Sequence, residues 1–158
     1  MEMNEHETFM AEAIRLATEN VTNGGGPFGA VIVRNGEIVA TGVNRVTPSY
    51  DPTAHAEVVA IRNACQKLQT FKLTDCDIYA SCEPCPMCLS AIYWAGLRHI
   101  YYGGTQQDAA DIDFDDHFIY QQIPLQPSER SIPATNIMRQ QAQQPFDAWR
   151  NKEDKTPY

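Results

Sequence analysis

Apolar residues recur at three- and four-residue spacing near the start of the chain. Phe9, Ala13, Leu16 and Ala17 form a stripe that Met10, Ile14 and Val21 widen, and the period predicts a helix from about Thr8 to Asn20. Asn23-Gly24-Gly25-Gly26-Pro27 ends it. Phe28–Arg34 and Glu37–Asn44 are β-rich runs joined by Asn35-Gly36, a pair that favours a two-residue hairpin turn. The turn residues Thr47–Pro52 lead into a second helix, with His55 and Glu57 at its start. Its inward positions are expected to be Val58, Val59, Ile61, Ala64, Cys65 and Leu68.

Asp77–Ser81 reads as a short buried strand, followed by a helix opening at Cys85 and closing at Ala95-Gly96. His99–Tyr102 reads as another strand. Two successive strand–helix–strand units imply parallel strands, and the hairpin adds an antiparallel pair. The expectation is an α/β fold with a mixed sheet and helices on both faces, where sites form at strand ends as helices begin. Beyond Gly104 the pattern is less regular. Asp108–Ile112 reads as helical, and Asp113-Phe114-Asp115-Asp116 as a solvated acidic turn or cap. Ile123–Pro133 contains three prolines and reads as an irregular connection. Pro145–Arg150 carries aromatic residues that a disordered tail would lack, so it is expected to dock.

At 158 residues the chain is expected to form a single domain, 1–158. No run approaches membrane-spanning length, and the acidic N-terminus lacks the basic region of a signal peptide. Five cysteines, three of them clustered, favour a reducing, cytoplasmic setting, with Cys65 and Cys76 as small core residues. Twenty acidic residues against twelve basic give a net charge of −8. That balance argues against a nucleic-acid partner and favours a small neutral substrate.

The chemistry lies in two stretches. His55-Ala56-Glu57 followed by Pro84-Cys85-Pro86-Met87-Cys88 reads H-x-E…P-C-x-x-C, the zinc-deaminase pattern. His55, Cys85 and Cys88 would be three Zn2+ ligands, leaving a fourth position for water and Glu57 free to move protons. Residues two apart do not share a face in mid-helix, but in a first turn both can address an ion beyond the helix end. Cys85 suits an N-cap, with Pro86 at the first helical position and Cys88 one turn on. The positive end of each helix favours thiolates. Two other readings stay open. Cys85 and Cys88 suit a thioredoxin-like redox pair. A structural zinc site would need Cys82, His99 or His117 as a fourth ligand and would leave Glu57 without a purpose. A ferredoxin-like run fails because position 92 is Ile92.

Asp51–Glu57 and Ser81–Cys88 resemble the cytidine-deaminase-like superfamily, and they are motifs that tRNA adenosine and cytosine deaminases share. Gly25–Ala30, Ala91–Ala95, Phe114–Tyr120 and Pro145–Arg150 resemble the bacterial guanine deaminases more narrowly. One departure is Asp113, where similar proteins often have Gly. The resemblance implies a three-layer αβα sandwich with a mixed five-stranded sheet, one zinc per chain and a homodimer. Residues 145–158 of each subunit would form a lid exchanged onto the other's site. The implied reaction is guanine plus water giving xanthine plus ammonia, with guanosine, cytosine or tRNA adenosine as alternative substrates. It also implies Glu57 as proton shuttle, helped by Asp116. Asn44 and the Ala56 backbone would hydrogen-bond the base, Phe28 and Trp94 would line it, and Asp116 and Tyr158 would complete recognition. On residue type alone, Phe28 and Trp94 are equally core aromatics, Asn44 a turn residue and Tyr158 a frayed terminus.

Overall fold

Asn4 starts the first helix earlier than the apolar stripe suggests. Its side chain accepts the Glu7 N–H at 2.9 Å while the Glu7 carboxylate accepts the Asn4 N–H at 3.0 Å. This reciprocal cap sets α1 as Glu5–Thr22. The computed structural model describes residues 2–158, which fall into two units, one ending at His117 and the other Phe118–Tyr158.

In the first unit α1 is followed by β1 (Gly29–Arg34), β2 (Glu37–Val43), α2 (Ala56–Leu68), β3 (Asp77–Cys82), α3 (Pro86–Ala95) and β4 (His99–Gly104). Asn35 and Gly36 both take positive φ, 52° and 75°, and make the expected tight hairpin. The sheet runs β2-β1-β3-β4. β1 is antiparallel to both β2 and β3, whereas β3 and β4 are parallel. The two strands joined through α2 thus run the same way with β1 inserted between them. Among the described residues the sheet has four strands, not the five that the resemblance implies. After β4 the chain enters short helices and a proline-broken stretch, and proline supplies no ladder donor.

β1 is buried on both faces. Val31 and Val33 pack with Phe9, Ala13 and Tyr79 on the α1 side, and Ala30 and Ile32 pack with Ala56, Ala60, Ile78 and Ile92 on the α2–α3 side. Cys76 is buried in that second cluster and Cys65 packs against it. The innermost seam of α2 is Ala56, Ala60 and Ala64, while the larger Val58, Val59 and Ile61 are only half-buried. Gly42 explains the seam. A Cβ there would sit 2.3 Å from the Ala56 carbonyl oxygen and 2.4 Å from the Ala60 nitrogen. Helix backbone and strand backbone touch directly, so only small residues fit between them.

After β4, Thr105 and Asp108 form a second reciprocal cap on α4 (Gln106–Ala110), which therefore begins two residues before the expected start. The second unit comprises most of α5 (His117–Gln122), two short 3-10 turns and α6 (Gln144–Asn151). Phe146 and Trp149 on α6 are exposed. Among the described residues no helix is long and apolar enough to cross a membrane, and all five cysteines are free.

Candidate active site

His55 is the N-cap of α2 and Cys85 the N-cap of α3, with Pro86 at the first helical turn. An N-cap side chain ordinarily accepts a backbone N–H of its own helix. Neither of these does so; they turn toward each other instead. His55 Nδ1 lies 3.5 Å from Cys85 Sγ and 3.5 Å from Cys88 Sγ. The three ligand atoms all lie within 4.8 Å of one another, a group that excludes Cys82, His99 and His117.

The donor set fits zinc. Tetrahedral angles with Zn–S of about 2.3 Å and Zn–N of about 2.0–2.1 Å put nitrogen and sulfur roughly 3.6 Å apart, close to the observed spacing. Its protonation points the same way. Hydrogen bonds from the Cys88 thiol and then from His55 hold Cys85 down to about 4. Cys88 is pushed up, first by its bond to Cys85 and then by burial. His55 is raised, chiefly by its bond to Cys85. A dication held by both sulfurs would favour both as thiolates.

Glu57, in the first turn of α2, is 7% exposed. Burial raises its pKa, opposed by hydrogen bonds from its own backbone and from Cys88. Asp116 is half-buried and also raised, first by burial and further by the charge of Cys85. Burial is thus the leading cause of the upward shift at both carboxyl groups. Cys82 is pushed up to about 11 by burial and then by Glu57 and Asp116, so it stays a thiol.

Among the expected substrate contacts, Ala56 is fully buried at the start of α2 and Asn44 is 7% exposed. Phe28 meets Phe114 edge to face, with centroids 5.0 Å apart. Trp94 lies further along α3 than Cys88, exposed, where it lines a cavity of about 390 Å³ with Leu89, Ser90 and Tyr93. Tyr158 belongs to the second unit. From sequence Asn20 reads only as the end of the first helix. It is 3% exposed, and its Nδ2 donates to the carbonyls of Gly26 and Asn44, each at 2.8 Å. It ties the Gly25-Gly26-Pro27 loop to Asn44. The signal was present, because Asn20 is a polar residue in phase with Ala13 and Ala17.

An H-x-E helix start and a C-x-x-C helix start that share one metal-sized site define a zinc-dependent deaminase domain. The chain belongs to the family described by the cytidine and deoxycytidylate deaminase zinc-binding region, which matches residues 3–104. Over 154 residues it is 53% identical to guanine deaminase of Bacillus subtilis (strain 168), covering 97% of this chain and 99% of that one. A solved structure of guanine deaminase from Bacillus subtilis superposes with a TM-score of 0.95 at 54% identity, covering 99% of both chains. A tRNA-specific adenosine deaminase of Aquifex aeolicus is 40% identical over 101 residues, 64% of this chain and 67% of its own length.

Proposed function

We propose that this chain hydrolyses guanine to xanthine and ammonia. The observation that carries the proposal is the extent of likeness. Similarity to a guanine deaminase runs through 97% of the chain, whereas similarity to a tRNA adenosine deaminase stops at 64%. The net charge of −8 also suits a neutral base better than a polynucleotide.

His55, Cys85 and Cys88 would hold one zinc ion, which when bound supplies a water made nucleophilic near neutral pH. Glu57 removes a proton from the attacking water and passes it to a ring nitrogen as oxygen bonds to C2 of guanine. It then carries the second proton to the exocyclic nitrogen, and the C2–N bond breaks to release ammonia. Its raised pKa suits a group that must hold a proton between the two transfers. Asp116 assists delivery to the leaving nitrogen. Asn44 and the Ala56 backbone hydrogen-bond the base, and Phe28 and Trp94 bound its faces.

Pro145–Tyr158 acts as a lid, exchanged between the subunits of a homodimer. α6 supports this reading with an amphipathic surface on which Phe146 and Trp149 are exposed. Closure would exclude bulk water from the proton-transfer steps, with Tyr158 completing base recognition. The five free cysteines suit a reducing, cytoplasmic setting. Ammonia release measured over guanine, guanosine, cytosine and adenosine-34 tRNA tests the assignment. Turnover of guanine alone is expected, and turnover of the tRNA without guanine would overturn it.

A further inference from the structure

α4 ends in a reversal built on a residue that is not glycine. Asp113 has φ of 72°. Its N–H donates to the Ala110 carbonyl at 3.1 Å, and the Phe114 N–H donates to the Ala109 carbonyl at 2.9 Å. This pair of bonds around a left-handed residue is a helix-ending motif in which the next residue makes an apolar contact. Here the residue after the turn is Phe114, and its ring meets not its own helix but Phe28, at 90°.

Phe28 is a firm seat. It packs against the α2–α3 core cluster, its carbonyl accepts the Asn44 N–H at 3.1 Å, and its own N–H reaches the Gly26 carbonyl at 2.9 Å. The other end of the segment is also tied to the metal-ligand loop. The Glu83 N–H donates to the Gly104 carbonyl at 2.8 Å, and the Glu83 carboxylate accepts the Gln106 N–H at 3.4 Å. Between these ties the residues from Asp111 to Asp115 are exposed, and an exposed turn does not hold a carboxylate in place without an anchor. Asp116 follows two residues after the anchoring ring and lies within electrostatic reach of Cys85.

We propose that Phe114 is a positioning residue for the deamination. By its T-shaped contact with Phe28 it seats the Asp113–Asp116 turn, so that Asp116 faces the reacting nitrogen beside the metal ligands. This rests on Asp116 handling a proton in the reaction proposed above. Phe114 is 46% exposed, so its removal empties little core, and the effect falls on rate rather than on folding.

A double-mutant cycle tests it, with kcat and KM for guanine, zinc content and Tm measured for Phe114→Ala, Asp116→Asn and the pair. Phe114→Ala is expected to lower kcat by about 10- to 100-fold, as a misplaced catalytic group does, with zinc content retained. Phe114→Leu, which keeps an apolar anchor, recovers most of the loss. On the Asp116→Asn background Phe114→Ala costs almost nothing further. An equal cost with and without Asp116, or a rise in KM alone, would overturn the proposal while leaving the role of Asp116 intact. An unchanged kcat in Asp116→Asn itself would remove that role, and the proposal with it. Where Phe114→Ala does not fold, Phe114→Leu and Phe114→Met decide by the same cycle.

Discussion

His55 Nδ1 stands 3.5 Å from Cys88 Sγ although the two residues are 33 apart in sequence. The contact joins the start of α2 to the first turn of α3 and brings together the residues that would hold a metal. Proton transfer is proposed for a different residue, Glu57, so the two roles are separable by substitution. Cys88→Ala should lose zinc and stability together, because ligand loss removes binding energy that is also folding energy. Glu57→Gln should keep about one zinc per chain and lose roughly 10²–10⁴-fold in kcat, the usual range for a general acid–base group. Elemental analysis of purified variants beside their turnover checks both. Zinc loss in Glu57→Gln would make that carboxylate a ligand.

Both helix starts were legible in the sequence because the chemistry constrains them. The H-x-E spacing and the Cys-Pro pair both suit helix N-terminal positions, from which they can address one ion. The hairpin was legible from Asn35-Gly36 for an equally local reason. The insertion of β1 between β2 and β3 was not, since it depends on long-range pairing such as Ile32 with Ile78. The alanine seam of α2 was also hidden. Ranking positions by apolar size points to Val58 and Val59, but Gly42 brings the backbones so close that size becomes a penalty. Phe114 read as part of an acidic turn because nothing near it in sequence announces Phe28.

The Gly42 contact is testable. Gly42→Ala forces a methyl against the backbone of Ala56 and Ala60, neither of which can yield without moving α2. Overpacking of this kind costs about 1–3 kcal/mol. Because α2 carries His55 and Glu57, turnover should fall along with Tm. A variant with wild-type melting and activity would show that strand and helix part at no cost.

Asp113 supports a similar ordering. An L-residue in the left-handed region pays a steric cost that Gly avoids and a β-branched residue feels most. Across Asp113→Gly, wild type and Asp113→Val, stability should fall in that order. The span should be about 1–2 kcal/mol between the ends. Denaturant melts of the three proteins check it, and a Val variant as stable as the Gly variant would contradict the turn geometry.

Asp108 should give stability a pH signature. Hydrogen bonds from the Thr105 backbone and hydroxyl lower its pKa below the ordinary 3.8. A carboxylate lowered in the folded state binds fewer protons there than in the unfolded chain, so stability rises with pH through that interval. Its contribution is full above the ordinary value and disappears as pH falls through the lowered one. Asp108→Ala should therefore melt slightly below wild type at neutral pH, and the gap should close below about pH 4. Melting both proteins in parallel makes acid release of zinc common to the pair. A gap that persists in acid would assign the effect to lost packing.

The exchanged lid is best tested by complementation. α6 carries Phe146 and Trp149 on an amphipathic helix that follows a proline-broken, glutamine-rich connection. An exchanged arm needs these parts, a spacer able to cross and an apolar anchor. Removing Pro145–Tyr158 leaves His55, Glu57, Cys85 and Cys88 in a unit with its own core clusters, so the truncated chain should bind zinc yet lose activity. Mixing it with full-length Glu57→Ala chains under exchange conditions pairs an intact site with a tail from the other chain. If tails close the partner's site, some activity returns, in proportion to the mixed dimer. If each tail folds over its own subunit, one chain lacks the lid and the other the proton shuttle, and mixing restores nothing. Size-exclusion chromatography of the mixture separates that result from a failure to exchange. A mixed dimer without activity would retire the exchange, even if deletion of the tail alone had already shown that the lid matters.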